Sequence, residues 1–153
     1  MSVYKKVFRT YNAEETENLG KEIAKALKPG DVLALYGDLA VGKTTLTRGL
    51  TKGFHSNQLA TSPTFTLINE YPGALTLYHI DCYRIKNPQE ILYLGFEEYL
   101  DKGGIVVIEW PQKIEAFLPE NTIRISLNRL DLQENIRDIV IESPEKLHVT
   151  FSC

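Results

Sequence analysis

DVLALYGDLAVGKTTLTRGL, residues Asp31 to Leu50, is the stretch on which the reading of the whole chain turns. An apolar run with β-branched and aromatic members leads into a loop with a glycine at each end. A lysine and two threonines then open a helical pattern. That order is strand, phosphate loop, helix. Gly37, Gly42, Lys43 and Thr44 meet the pattern G-x-x-x-x-G-K-[ST], and each residue type in it has a physical task. Glycine lets the backbone curl until successive N–H groups converge on an anion, and the following helix adds the positive end of its dipole. The lysine brings a mobile cation to the β and γ phosphates, and the next hydroxyl reaches Mg²⁺. The expectation is a nucleoside triphosphate bound with magnesium.

Composition narrows what surrounds that loop. The 153 residues suffice for one domain, 1–153, with a core that needs neither disulfides nor structural metal. Seventeen Lys and Arg against 20 Asp and Glu leave a net charge of -3, so no global positive field exists to grip DNA or RNA unaided. Cys82 and Cys153 form no metal-ligand or redox spacing. The opening MSVYKKVFRTYN lacks the apolar centre of a signal peptide, and no apolar run approaches the ~20 residues of a membrane helix. These features lead us to expect a soluble, cytoplasmic protein with reduced thiols and no membrane contact.

Upstream of the loop, Val3 to Thr10 alternate like a half-buried strand. Asn12 with Glu15 forms a capping-box pattern, and Leu19, Ile23, Ala26 and Leu27 recur at helical spacing until Pro29 and Gly30 stop the helix. A strand and a helix thus precede the phosphate loop. Thr10, at the end of that strand, either approaches the nucleotide or begins a turn, and both readings stay open.

Downstream, the loop helix fades at Gly53, and His55 to Pro63 read as an exposed connection rich in turn formers. Thr61, Ser62 and Thr64 are its candidate polar contacts. Phe65 to Tyr71 and Leu75 to Asp81 pattern as two strands joined at Pro72-Gly73, an antiparallel hairpin. His79, Asp81 and Tyr83 are spaced two apart and share a face if the strand runs that far. A carboxylate at a strand end beside a phosphate loop can hold a magnesium-bound water or orient an attacking one, which makes Asp81 a catalytic candidate. Asn87-Pro88-Gln89-Glu90 starts a helix that breaks at Gly95, and FEEYLDKGG suggests another short one.

Ile105 to Ile108 is wholly apolar, as expected of a strand buried on both faces, and it ends in Glu109. Four apolar residues followed by an acid is the Walker B pattern, in which the carboxylate meets Mg²⁺ directly or through water. Trp110, the only tryptophan, then stands either at the rim of the site or as packing against Pro111. Thr122 to Leu130, Ile136 to Ser143 and Leu147 to Phe151 pattern as further strands forming an antiparallel edge. Arg124, Arg129 and Arg137 on them read as a solvated strand face rather than nucleotide contacts. The fold class is α/β, a P-loop NTPase-like mixed sheet flanked by helices with antiparallel edge strands.

GDLAVGKTT, SPTFTLINEY, HIDCYR and IEWP occur in that order, and NAEETENLGKEIAKAL and LGFEEYL accompany them. In this combination the chain resembles, over nearly its whole length, the TsaE (YjeE) family of bacterial P-loop ATPases. The resemblance implies an ATP- and Mg²⁺-dependent partner of the TsaB and TsaD proteins. That assembly makes N6-threonylcarbamoyladenosine on tRNAs reading codons that begin with A, and the tRNA is reached only through the complex. It further implies that Gly37, Asp38, Leu39, Ala40, Val41, Gly42, Lys43, Thr44 and Thr45 form the phosphate cradle. Thr44 and Glu109 become the magnesium residues, Lys43, Asp81 and Glu109 the catalytic groups, and Thr10 a residue near the nucleotide. SPTFT with Tyr83 and Arg84 resembles the family's switch and partner-facing surface. One departure stands out, because the family usually reads GDLGAGKTT where this chain has Ala40 and Val41. If position 40 needs a positive φ, Ala40 carries a strain of ~1 kcal/mol that glycine would not.

Three functions share these residues. The leading one is an ATPase whose hydrolysis, slow in the lone chain, drives a partner complex. A small-molecule P-loop kinase needs an acceptor pocket and an arginine-bearing lid, and between the hairpin and the Glu109 strand only Arg84 is offered. A nucleotide-dependent binding switch without important hydrolysis differs only in what Asp81 and Glu109 do.

Overall fold

The N-terminal alternation becomes strand β1 (Tyr4–Thr10), and Asn12 starts helix α1 (Ala13–Ala26) in the computed structural model, which describes residues 3–38, 40–61, 67–130 and 135–151. The Asn12 half of the capping box forms, and Glu15 reaches back one residue beyond it. Asn12 Oδ1 accepts the Glu15 N–H at 2.8 Å, and the Glu15 carboxylate accepts the Tyr11 N–H at 3.3 Å. One donor that the first helical turn leaves without a partner, the Glu15 N–H, is thereby met, and the second bond ties down the residue before the cap. Leu19 and Ile23 are fully buried, as the helical spacing required.

The chain then runs through β2 (Val32–Tyr36), α2 (Lys43–Gly53), β3 (Ile68–Tyr71) and β4 (Leu77–Asp81). Two short helices, α3 (Glu90–Tyr93) and α4 (Phe96–Leu100), lead to β5 (Ile105–Glu109), a 3₁₀ segment (Pro111–Phe117), β6 (Ile123–Arg129) and β7 (Arg137–Ser143). All seven strands form one sheet in the order β1-β7-β6-β2-β5-β4-β3. β6, β2, β5 and β4 run parallel, while β3, β7 and β1 pair antiparallel at the flanks. The mixed sheet with antiparallel edges is therefore the architecture of this chain, and the strand feeding the phosphate loop lies at its centre.

Each face of the sheet is covered. On one, α1 and α2 pack on Leu33, Leu35, Val107, Ile125 and Leu127. On the other, Ile91, Phe96 and Ile114 from the short helices and the 3₁₀ segment meet Val32, Ile80, Val106 and Ile108. The two long helices touch backbone to backbone. A Cβ at Gly49 would stand 2.0 Å from the Glu17 carbonyl oxygen, and one at Gly20 would stand 2.4 Å from that of Leu46.

Some sequence expectations need correction. Leu147 to Phe151 is not a strand. Val149 is buried in the core beside α1, and Phe151 meets the Phe8 ring edge-on at 6.1 Å, so the alternation reflects a segment lying on the sheet face. β1 is more exposed than half-buried, with Tyr4 and Val7 at 50% and 58%, because it is an outermost strand. Strand β4 ends at Asp81, which takes Tyr83 off the shared face. The hairpin's first strand is described from Ile68 onward, and Leu39, Ser62 to Thr66 and Cys153 lie outside the described residues. Cys82 is buried, and burial pushes its thiol up to about 12, far from a reactive thiolate. Among the described residues no helix is long and apolar enough to cross a membrane.

Candidate functional site

Parallel strands deliver their C-terminal ends to one edge of a sheet, where α/β proteins place ligands. Here Tyr36, Asp81, Glu109 and Arg129 close β2, β4, β5 and β6, and the register Thr10↔Arg137↔Arg129 brings β1 and β7 to the same edge. The phosphate loop sits in the middle of this row. Gly37 has φ 148, and a Cβ there would meet both the Leu127 carbonyl oxygen and Val41 Cγ1 at 2.8 Å. Gly42, at φ 116, is the N-cap of α2. Ala40 adopts φ 60, a left-handed conformation that costs a non-glycine residue about 1–2 kcal/mol. The condition attached to this position in the sequence is thus met.

Two arginines bond the backbone of this loop. Arg129 Nη2 donates to the Ala40 carbonyl at 2.9 Å, and Arg137 Nε donates to the Val41 carbonyl at 2.8 Å. The sequence reading left both on a solvated strand face. Arg124 lies elsewhere, bonding the Tyr36 hydroxyl and Glu115 on the opposite sheet face.

Lys43, the first residue of α2, is 6% exposed. Its Nζ donates to the Gly37 carbonyl at 2.7 Å and lies 4.1 Å from the centre of the Trp110 ring. Burial lowers the affinity of this ammonium for its proton, while Glu109, Asp81 and Asp38 pull the other way. Thr44 and Thr45 follow, half-buried, on a first helical turn whose N–H groups have no intrahelical partner.

Asp81 and Glu109 are register partners on adjacent parallel strands, exposed by only 9% and 4%. Burial raises the Asp81 carboxyl above its ordinary value, against the Tyr83 N–H that it accepts at 2.9 Å; the Glu109 charge raises it further. Fully buried His79 meets Glu109 Oε2 through Nε2 at 2.5 Å. No described residue is a partner for the other ring nitrogen, Nδ1. Trp110 takes φ 56 and packs against Tyr83 with ring centres 5.1 Å apart and the planes tilted by 55°. It is therefore a rim residue as well as a packing one. Thr10 is fully buried at the same edge, its hydroxyl 2.7 Å from that of Thr16, beside Gly42.

This edge suits a magnesium-bound nucleotide. Among the described residues no group of three or more His, Cys, Asp and Glu is arranged to cage a metal. Mg²⁺ instead takes one or two protein oxygens and completes its shell with water and substrate phosphates, which Thr44 and Glu109 beside a bare-backbone cradle would allow.

Comparison with known proteins agrees with this geometry. The family model for "Threonylcarbamoyl adenosine biosynthesis protein TsaE" matches residues 10–139. The tRNA threonylcarbamoyladenosine biosynthesis protein TsaE of Bacillus subtilis is 45% identical over 123 residues, which cover 80% of this chain and 77% of that protein. Its counterpart in Rickettsia felis is 41% identical over 142 residues, covering 92% and 82%. The crystal structure of Bacillus subtilis YdiB superposes with a TM-score of 0.81 at 37% identity, covering 95% of this chain and 89% of that one. With the family model matching residues 10–139 and relatives above 40% identity over most of the length, the chain belongs to the TsaE family of threonylcarbamoyl adenosine biosynthesis proteins.

Proposed function

We propose that this chain is an Mg²⁺-dependent ATPase that binds TsaB and TsaD in the cytoplasm and supports their repeated turnover in tRNA modification. On this reading tRNA is met only through the complex, and residues 1–153 act as one ATPase domain. The observation that carries the reading is the buried Lys43 ammonium at the mouth of the phosphate loop, with Asp81 and Glu109 on the two neighbouring strand ends. An ammonium and two carboxylates kept this far from water are stabilised little by the apolar core, and they suit a ligand that brings phosphate and metal.

In the proposed reaction a water attacks the γ phosphorus in line and ADP leaves. Lys43 exchanges the Gly37 carbonyl and the Trp110 ring for β and γ phosphate oxygens. Loop amides from Gly37 to Thr45 and the N-terminus of α2 hold the phosphates. Thr44 and Glu109 hold the metal, with His79 fixing the Glu109 carboxylate. Bound Mg²⁺ supplies charge neutralisation on the phosphate oxygens. Asp81, whose carboxyl is raised above its ordinary value by burial, is suited to orienting the attacking water and taking its proton. Thr10 acts through Thr16, next to Gly42.

Phosphate release from Mg·ATP by the purified chain, alone and with TsaB and TsaD, tests this, with Lys43→Ala as control. Low activity that rises with the partners and vanishes in the variant is expected. Tight ATP binding with no rise would turn the reading to a binding switch. Phosphate transfer to an added acceptor would turn it to a kinase.

A further inference from the structure

Arg129 ends β6, Arg137 begins β7, and the two are register partners. Like charges facing each other across an antiparallel pair oppose folding, so their retention calls for an offsetting interaction. Burial and the Arg129 charge both lower the affinity of the Arg137 guanidinium for its proton, which marks the closeness of the pair. The offset is visible in what each arginine grips. Arg129 takes the carbonyl of Ala40 and Arg137 that of Val41, two successive peptide groups of the phosphate loop.

The peptide bonds are trans, and in a trans peptide the C=O and N–H groups point in opposite directions. A carbonyl drawn outward at Ala40 turns the Val41 N–H inward, and one drawn outward at Val41 does the same for Gly42. The surrounding residues reinforce this orientation. The Val41 side chain is fixed in the core at 3% exposure, and Ala40 is held at φ 60, a conformation it would leave if free. We propose that Arg129 and Arg137 are positioning residues for the nucleotide: they lock two peptide planes so that the Val41 and Gly42 N–H groups face the phosphates. The inference rests on the nucleotide-site reading above. It gives this chain a clamp at the stretch where a non-glycine residue, Ala40, takes a left-handed conformation.

The test is calorimetric titration of Mg·ADP into the wild-type chain, Arg129→Met, Arg137→Met and Arg137→Lys, with ¹H–¹⁵N spectra of each. Losing one charge-assisted hydrogen bond that preorganises the cradle predicts about tenfold weaker binding in each methionine variant. Arg137→Lys, which keeps a cationic donor, recovers part of the loss. The shifts of the Val41 and Gly42 amides on nucleotide addition shrink in the methionine variants, a signature that a merely stabilising arginine would not affect. Arg129 is exposed, so its variant carries the test should Arg137→Met fail to fold. Wild-type affinity and wild-type amide shifts in the methionine variants would overturn the inference while leaving the nucleotide reading intact. A wild-type chain that does not bind Mg·ADP would overturn both.

Discussion

The crossing of α1 and α2 and the phosphate-loop edge of the sheet both depend on glycine, for opposite physical reasons. At the crossing, Gly20 and Gly49 keep regular helical backbone and serve by lacking a side chain, so that two helices pack at backbone distance. At the edge, Gly37 and Gly42 serve by turning to positive φ, and Ala40 and Trp110 are held in the same region without glycine's freedom. The first region buries mainly apolar side chains, with one ion pair, Lys52 to Glu17, joining the two helices. The second buries Lys43, His79, Asp81 and Glu109 within a few strand ends of one another. One region stabilises the fold, and the other is held together by it, which is the pattern expected where strain and buried charge are kept for a ligand.

Substitutions should therefore have opposite signs in the two regions. The largest effect is expected from Gly49→Ala, whose new Cβ would fall 2.0 Å from the Glu17 carbonyl oxygen and 3.0 Å from Gly20 Cα. Forcing helices apart costs about 3 kcal/mol, more than the ~1 kcal/mol that alanine gains as a helix former. Urea denaturation should show this loss, and an unchanged midpoint would remove the contrast.

At the other region Asp81→Asn should stabilise. Burial raises the Asp81 carboxyl, so the fold binds this proton more tightly than the unfolded chain does. The ionised side chain therefore destabilises the fold increasingly as pH climbs from the ordinary carboxylate range through the raised value, and fully above it. The variant should melt higher than wild type at pH 7, with the difference fading below the ordinary carboxylate range, while ATP turnover falls at least ~100-fold. A variant that melts lower at pH 7 would place Asp81 among the stabilising groups. The smallest effect is expected from Ala40→Gly. Relief of the left-handed strain, less the greater unfolded-state freedom of glycine, leaves a gain of about 0.5 kcal/mol in the same denaturation experiment.

Much of this second region is local in sequence and was legible there. The glycine spacing announced the loop, the apolar run ending in Glu109 announced a central strand, and the hairpin pattern led to Asp81. The Asn12 cap on Glu15 was legible for the same reason. Other features depend on register between strands far apart in the chain. Nothing near Arg129 or Arg137 signals that the pairing Thr10↔Arg137↔Arg129 carries them to the loop. The His79 to Glu109 contact likewise needs β4 and β5 to align Asp81 with Glu109. Leu147 to Phe151 misled because a segment lying on a sheet face alternates as a strand does.

The central claim, that buried charge at this edge is kept for nucleotide at the expense of the free protein, is tested most directly by melting wild type and Lys43→Met with and without Mg·ATP. Burial lowers the affinity of Lys43 for its proton, so removing the ammonium should leave the nucleotide-free variant the more stable of the two. At a hundred times its dissociation constant, Mg·ATP should stabilise wild type by about 2.7 kcal/mol and leave the variant almost unmoved, reversing their order. A wild type that is already the more stable without nucleotide, or that gains nothing from it, would contradict the account.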